Sequence, residues 1–362
     1  MINAAATETC VGGSIKNPQV ATAMVEAAKH FVDLKKLQIA VGEKIAQLTQ
    51  NEAAMVTTGA AGGLFLAIAG CLQLADPAAY SRLPDDIPRS YRVLAYRSHF
   101  VEFVTGIKQV GVNLVPLGSI GERERQEAWE LEEAIKDGAL AVLYVMAGLW
   151  IPPGAPSLEE VAKVCRAKNI PLIVDAAAQL PPVENLWRLT QAGATAVLFS
   201  GGKDLRGPSS TGLMVGKKDL IAVCREIISP NHGIGRIFKV DKEEMIGLLT
   251  AVEEYVTMDH AARLEWSETQ VKKVIAGLAD LQSVKAERAF PNEAGQPIPR
   301  VKCSFNREAV GLSRDELLET FLNQDPSIRF APGPAESFYI NPMTLQEGET
   351  EIIIAQLHQF FT

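Results

Sequence analysis

Pro171-Leu-Ile-Val-Asp175 and, 28 residues after its aspartate, Ser200-Gly-Gly-Lys203 decide the fold. In the first stretch an apolar run ends in an acid. The lysine follows a second such run, Ala196-Val-Leu-Phe199. Short continuous apolar runs bounded by turn residues read as strands buried on both faces, as in a parallel sheet. Asp175 and Lys203 then emerge at the carboxyl edge, where open α/β sheets bind ligands.

Working outward, similar runs recur at Ala53–Thr57, Val93–Tyr96, Val112–Leu117, Leu140–Val145 and Gly212–Val215. Most are separated by helical stretches such as Gln126–Asp137 and Ser157–Lys168, the latter opened by the capping box Ser157-Leu-Glu-Glu160. Alternating strand and helix predicts an α/β fold, a mostly parallel seven-stranded sheet between helices. Only Asp204–Thr211 lies between Lys203 and the last run, too short a link for a crossover, so the final strand is expected antiparallel. Met24–Gln50 reads as one helix, with Val25, Ala28, Phe31 and Val32 on one face. From Lys242 a long helical pattern runs to about Leu281. A small α+β tail follows, with strands near Val301–Phe305 and Glu351–Ile354. The expected division is 1–50 joining a small domain, 51–241 a large ligand-binding domain, and 242–362 the rest of the small one.

Net charge is −8, with 47% hydrophobic and 22% charged residues. That balance argues against a nucleic-acid partner, which needs a basic face. Five scattered cysteines with no Cys-x-x-Cys favour a reducing, cytoplasmic setting over a disulfide framework or a metal site. Ala53–Ala75 is uncharged, yet glycines at 59, 62, 63 and 70 punctuate it. A buried strand, a turn and a core helix explain it better than a membrane span.

An acid and a lysine at one sheet edge suit pyridoxal 5'-phosphate. The lysine amine condenses with the aldehyde, and the carboxylate pairs with the protonated pyridine nitrogen. Taken alone, Asp175 also reads as a helix N-cap for Ala176–Gln179, and Lys203 as a surface lysine. The glycines before Lys203 and the buried strand favour the chemical reading. Thr57-Thr58-Gly59-Ala60-Ala61-Gly62-Gly63 lies between a strand and a helix, where exposed amides hold phosphate. Ser200 is placed to add its hydroxyl. His99 ends another strand at the same edge, where a flat imidazole could lie on a ring.

These segments resemble the fold-type-I pyridoxal-phosphate enzymes, in the group containing selenocysteine synthase and D-glucosaminate-6-phosphate ammonia-lyase. The resemblance is carried by Ile2-Asn-Ala-Ala, Gly12-Gly-Ser14, Phe31-Val-Asp-Leu34, Thr58-Gly-Ala-Ala61, Val174-Asp-Ala-Ala-Ala-Gln-Leu-Pro-Pro182, Phe199-Ser-Gly-Gly-Lys203, Arg206-Gly-Pro208 and Gly235-Arg236. It implies Lys203 as the cofactor-bearing lysine, Asp175 on the pyridine nitrogen and His99 on the ring. Gly59, Ala60, Ala61 and Ser200 would surround the phosphate. Arg206 and Arg236 match basic positions of the group and would bind an anionic substrate, with Arg329 a further candidate cation. The chain departs from the lyase-like pattern at Ser209, where those members tend to carry Gln.

The expected activity is ammonia elimination, through loss of water, from a small, phosphorylated 2-amino sugar acid such as D-glucosaminate 6-phosphate. Amino-group transfer, aldol cleavage and racemisation share its early steps and stay open. Seryl-tRNA selenium transfer is disfavoured by the acidic charge and by the core-like motif standing at residue 2. A homodimer or larger homo-oligomer and the absence of a membrane partner complete the expectation.

Overall fold

The computed structural model describes residues 1–118 and 126–362. The chain forms two compact units, Met1–Ile15 with Met258–Thr362, and Lys16–Thr257. It begins in the smaller one, with β1 (Ile2–Ala4). The larger unit then opens with α1 (Pro18–Ala28), α2 (Leu34–Leu48), β2 (Ala53–Thr58) and α3 (Gly59–Ala75). Five strands alternate with helices after that: β3 (Arg92–Tyr96), β4 (Asn113–Leu117), β5 (Ala141–Val145), β6 (Leu172–Asp175) and β7 (Ala196–Ser200). The strand β8 (Thr211–Gly216) follows directly, with no helix before it.

The seven strands lie in the order β2-β8-β7-β6-β5-β3-β4. β8 runs antiparallel to both β2 and β7, so the other six point the same way. All seven apolar runs read from the sequence are strands of this sheet, and the last is antiparallel as expected. The carboxyl ends of the six co-directional strands share one edge, which collects Thr58, His99, Val145, Asp175 and Ser200.

The uncharged stretch Ala53–Ala75 is β2 followed by α3, as the glycine punctuation predicts. Leu64, Leu66, Ile68 and Leu72 of α3 are buried. Each such side chain contributes roughly 1.5–3 kcal/mol on leaving water. A Cβ on Gly70 would stand 2.9 Å from both Cys224 Sγ and a Leu220 methyl, which is how the helix Lys218–Ile227 packs so near α3. Among the described residues, no helix is long and apolar enough to cross a membrane.

The smaller unit holds β9 (Val284–Ala289), β10 (Arg300–Phe305), β11 (Ile328–Pro332) and β12 (Ser337–Ile340), in a sheet ordered β1-β11-β12-β10-β9. Its core gathers Val271, Phe321, Phe330, Phe338, Ile353 and Leu357.

Four expectations are corrected here. Met24–Gln50 is two helices rather than one, because Asp33 accepts bonds from the amides of Lys35 and Lys36 and restarts the helix. The long pattern from Lys242 breaks likewise where Asp259 caps the helix His260–Gly277. Glu351–Ile354 lies in the helix Glu349–Phe361: Ile353 and Leu357, four residues apart, are buried together, and that packing overrides the β-branched run. Finally, α1, α2 and the helix Lys242–Thr257 belong to the larger unit. They pack on one another and α2 packs on β2, so the division falls at residues 15/16 and 257/258.

Candidate active site

Asp175 closes β6, opposite Val145 of β5 and Leu198 of β7. Only 7% of it is exposed. The residues after it turn without forming a helix, and Asp175 Oδ1 accepts the amide of Ala177 at 3.0 Å. Burial pushes its carboxyl above the ordinary range; the Ala177 N–H and the charge of Lys203 pull the other way. Removal from water dominates, and a further cation set against the carboxylate would reverse the direction.

Lys203 stands on a tight turn after β7. Gly201 N donates to Thr211 O at 2.8 Å, Gly207 N to Gly201 O at 2.9 Å, and Arg206 N to Lys203 O at 3.0 Å. Both glycines before the lysine are sterically required: a Cβ on Gly201 would fall 2.0 Å from Thr211 Oγ1, and one on Gly202 2.3 Å from Ser209 Cα. Lys203 Nζ lies 5.9 Å from the centroid of the Trp150 ring, a cation–π contact. Trp150, in the turn Gly148–Trp150 after β5, is 46% exposed. Sequence reading passed over it, although it follows β5 much as His99 follows β3.

The third element is the start of α3. Gly59 has φ +64°, a left-handed conformation suited to glycine. Thr58, the N-cap, gives no side-chain bond to the first-turn amides, and its Oγ1 is buried without a partner. Gly212 of β8 lies in register with Thr57 on one side and Ser200 on the other. Its missing Cβ leaves room for the Gly59 carbonyl, which would stand 2.3 Å away. Two strand spacings, roughly 10 Å, thus separate Thr57 from Ser200.

His99 is 1% exposed. Its Nδ1 accepts the amide of Val145 at 3.4 Å, so the ring proton sits on Nε2. The Tyr144 ring meets it edge-on at 4.4 Å. Burial pushes the imidazole down to about 4. His99 is therefore neutral at pH 7, with a consequence for acid stability. Between pH 6.5 and about 4 the unfolded chain takes up a proton that the folded chain refuses. The His99 contribution to stability is complete above the ordinary value of 6.5 and falls, at up to about 1.4 kcal/mol per pH unit, as pH drops toward 4. An NMR titration is expected to show the His99 ring signals unmoved between pH 7 and about 5; a midpoint near the ordinary value would refute this.

The three arginines fall in different places. Arg206 follows Lys203 by three residues and holds a left-handed φ of 57°. Arg236 is exposed and donates from Nη1 to Ser229 Oγ at 2.6 Å. Its segment lies along α3: Phe238 packs on Phe65 at 4.9 Å, and a Cβ on Gly235 would meet Leu66. Arg329 belongs to the smaller unit, where its Nε donates to Glu8 Oε2 at 2.7 Å.

These residues fit pyridoxal 5'-phosphate. The Gly59–Ala61 turn, Ser200 and the unpartnered Thr58 hydroxyl offer donors to a phosphate. Asp175 is a buried carboxylate suited to a ring cation, and Lys203 supplies the amine.

No family model matches the chain. It is 30% identical over 365 residues to D-glucosaminate-6-phosphate ammonia lyase of Salmonella typhimurium, covering 99% of this chain and 95% of that protein. It is also 30% identical to 5'-C-glycyluridine monooxygenase-decarboxylase of a Streptomyces species, covering 97% and 84%. A solved structure of D-glucosaminate-6-phosphate ammonia-lyase matches with a TM-score of 0.84 at 28% identity, covering 99% of this chain and 95% of the other. By that shared length and fold, with an aspartate and a lysine at one sheet edge, the chain belongs to the fold-type-I pyridoxal-phosphate enzymes, in the group of D-glucosaminate-6-phosphate ammonia-lyase and selenocysteine synthase.

Proposed function

We propose that the protein is a pyridoxal-phosphate-dependent lyase releasing ammonia from a phosphorylated 2-amino sugar acid such as D-glucosaminate 6-phosphate. The observation that carries this reading is the near end-to-end match to that lyase, in sequence and in fold, around the Asp175–Lys203 pair. Bound pyridoxal phosphate supplies an aldehyde for the substrate amine and a ring that draws electrons from its α-carbon. Asp175 would hold a protonated ring nitrogen, and the His99 imidazole would lie against the ring. The first-turn amides Gly59–Ala61, with Thr58 and Ser200, would hold the phosphate. Lys203 Nζ would hold the cofactor and, once released from it, would serve as the general base for the substrate α-proton. A β-hydroxyl leaves as water, and hydrolysis of the remaining enamine gives a 2-keto acid and ammonia.

The test is to incubate the holoprotein with a panel of 2-amino-3-hydroxy acids and measure ammonia, keto acid and carbon dioxide together. Equal amounts of ammonia and keto acid are expected, with the carboxyl retained. Amino-group exchange with a keto acid and no net ammonia would make the protein an aminotransferase. Release of carbon dioxide would favour chemistry like that named for the Streptomyces relative.

A doubly anionic substrate needs cations beyond those holding the cofactor. Arg206, Arg236 and Arg329 are the proposed set. A lost charge-assisted contact costs roughly 1.5–3 kcal/mol, so Arg206→Gln or Arg236→Gln is expected to lower kcat/KM about ten- to a hundredfold. The cofactor absorbance should stay unchanged. Wild-type kinetics in both variants would make these arginines structural.

The protein is further proposed to be a cytoplasmic homodimer, with the Gly235–Lys239 segment reaching toward the neighbouring subunit. All five cysteines are unpaired, in keeping with a reducing compartment. Val25 of α1 is 63% exposed, Phe31 and Val32 in the turn between α1 and α2 are 107% and 44% exposed, and Ile237 is 74% exposed. Apolar surface of this kind marks an association site. Light scattering should give a dimer, weakened by Phe31→Glu; a fully active monomer would refute it.

A further inference from the structure

The turn carrying Lys203 is held from below by the helix Lys242–Thr257. A Cβ on Gly201 would stand 2.8 Å from a methyl of Leu248, and one on Gly207 would stand 3.3 Å from that methyl and from Ala251 Cβ. Between these two glycines lies a buried polar contact. Tyr255 Oη donates to Asp204 Oδ2 at 2.7 Å, with Tyr255 1% and Asp204 2% exposed. A hydrogen bond between two buried polar groups is costly to leave unmade.

Asp204 is the residue next to Lys203, and two residues later Arg206 is held at φ 57°. A non-glycine residue held there stores strain and persists only where surrounding contacts enforce it. An unanchored turn could relax and carry the Lys203 backbone with it. We propose that the Asp204–Tyr255 hydrogen bond is a positioning latch: it fixes the backbone from which Lys203 reaches its partner. The latch rests on the reading that Lys203 is the cofactor-bearing lysine.

The step it governs is the condensation of Lys203 with an aldehyde. The neutral amine attacks the carbonyl carbon. A C=N bond forms, and the carbonyl oxygen leaves as water with two protons; no oxidant or reductant is needed. A displacement near 1 Å in a reacting group costs about a hundredfold in rate. The measurement is made on cofactor-free protein mixed with pyridoxal 5'-phosphate, quenched with borohydride at intervals, with the adduct on Lys203 quantified by mass spectrometry.

Tyr255→Phe keeps the ring and removes the bond. It is expected to slow adduct formation at least about tenfold, with the far-ultraviolet circular dichroism unchanged. With substrate, kcat should fall while KM holds. Asp204→Ala should lose as much, and the double variant no more than either single one, as for two ends of one contact. Asp204→Asn retains an acceptor for the tyrosine O–H and should restore most of the rate.

Adduct formation at the wild-type rate in Tyr255→Phe overturns the latch. So do losses that multiply in the double variant, or Asp204→Asn performing no better than Asp204→Ala. Should Tyr255→Phe fail to fold, the asparagine and alanine variants at position 204 decide the matter alone. Wild-type protein that forms no adduct on Lys203 overturns the cofactor reading itself, a result separate from failure of the latch.

Discussion

Lys203→Ala is expected to leave the sheet intact and to abolish turnover. The side chain is only half-buried, on a turn shaped by Gly201, Gly202 and Gly207 rather than by its own aliphatic stem. Its loss removes a cation–π contact with Trp150, worth about 0.5–1 kcal/mol at an exposed site, and the positive charge that favours the Asp175 carboxylate, so the thermal midpoint at neutral pH should fall only modestly. The chemical loss is far larger. In the proposed mechanism Lys203 is both the attachment point of the cofactor and the base that removes the α-proton. General base catalysis alone contributes roughly a hundred- to ten-thousandfold, and loss of the covalent link adds to it. Borohydride reduction of wild-type holoprotein should place the cofactor on Lys203, and the variant should show no adduct there. Lys217 and Lys218 are the nearest alternatives in sequence. Lys217 is paired with Glu52 at 2.5 Å, and both residues lie at the far end of β8 from Gly212. A reduced adduct on either would refute the assignment.

How much of this was legible in the sequence depends on what kind of contact carried each feature. β2 through β8 were readable because strands covered on both faces become continuous apolar runs. The antiparallel sense of β8 followed from the short link after Lys203. The chemical pair was readable because Asp175 and Ser200-Gly-Gly-Lys203 each terminate such a run, and the carboxyl edge converts two sequence ends into one place. Helix breaks at Asp33 and Asp259 were hidden, since a capping aspartate inside an otherwise periodic pattern looks like one more polar residue. Glu351–Ile354 misled because three consecutive isoleucines satisfy both periodicities, and only the partners of Ile353 and Leu357 choose between them. Trp150, and the tyrosine on Asp204, were invisible for a different reason. Their partners stand about fifty residues away, and nothing local marks a long-range pair. The apolar residues Val25, Phe31 and Val32 read as one helix face, but all three are solvent-exposed, Val25 on α1 and the other two in the turn after it.

Asp175→Asn should separate stability from chemistry, because one buried charge governs both. Burial raises the Asp175 carboxyl above its ordinary value of 3.8. A group shifted this way favours the folded state below its ordinary value, and that contribution is lost as pH rises through the folded value. As pH rises above the ordinary value, the cofactor-free protein therefore incurs an electrostatic cost that Lys203 and the Ala177 amide offset only in part. Asparagine has the same shape, still accepts from Ala177 N, and has no charge to desolvate. The cofactor-free variant is expected to melt above wild type at pH 7, with the gap closing as pH falls toward 4. Turnover should move the opposite way. Without the carboxylate the ring nitrogen loses its counter-charge, and α-proton removal is expected to slow roughly a hundred- to a thousandfold, the magnitude of a lost preorganised electrostatic contact. Cofactor capture by Lys203 should change much less, since that step needs no electron sink. Melting curves against pH, beside single-turnover rates for capture and for proton removal, provide the check. A variant less stable than wild type at pH 7, with both rates reduced equally, would make Asp175 a structural turn residue whose carboxylate merely holds the amide of Ala177.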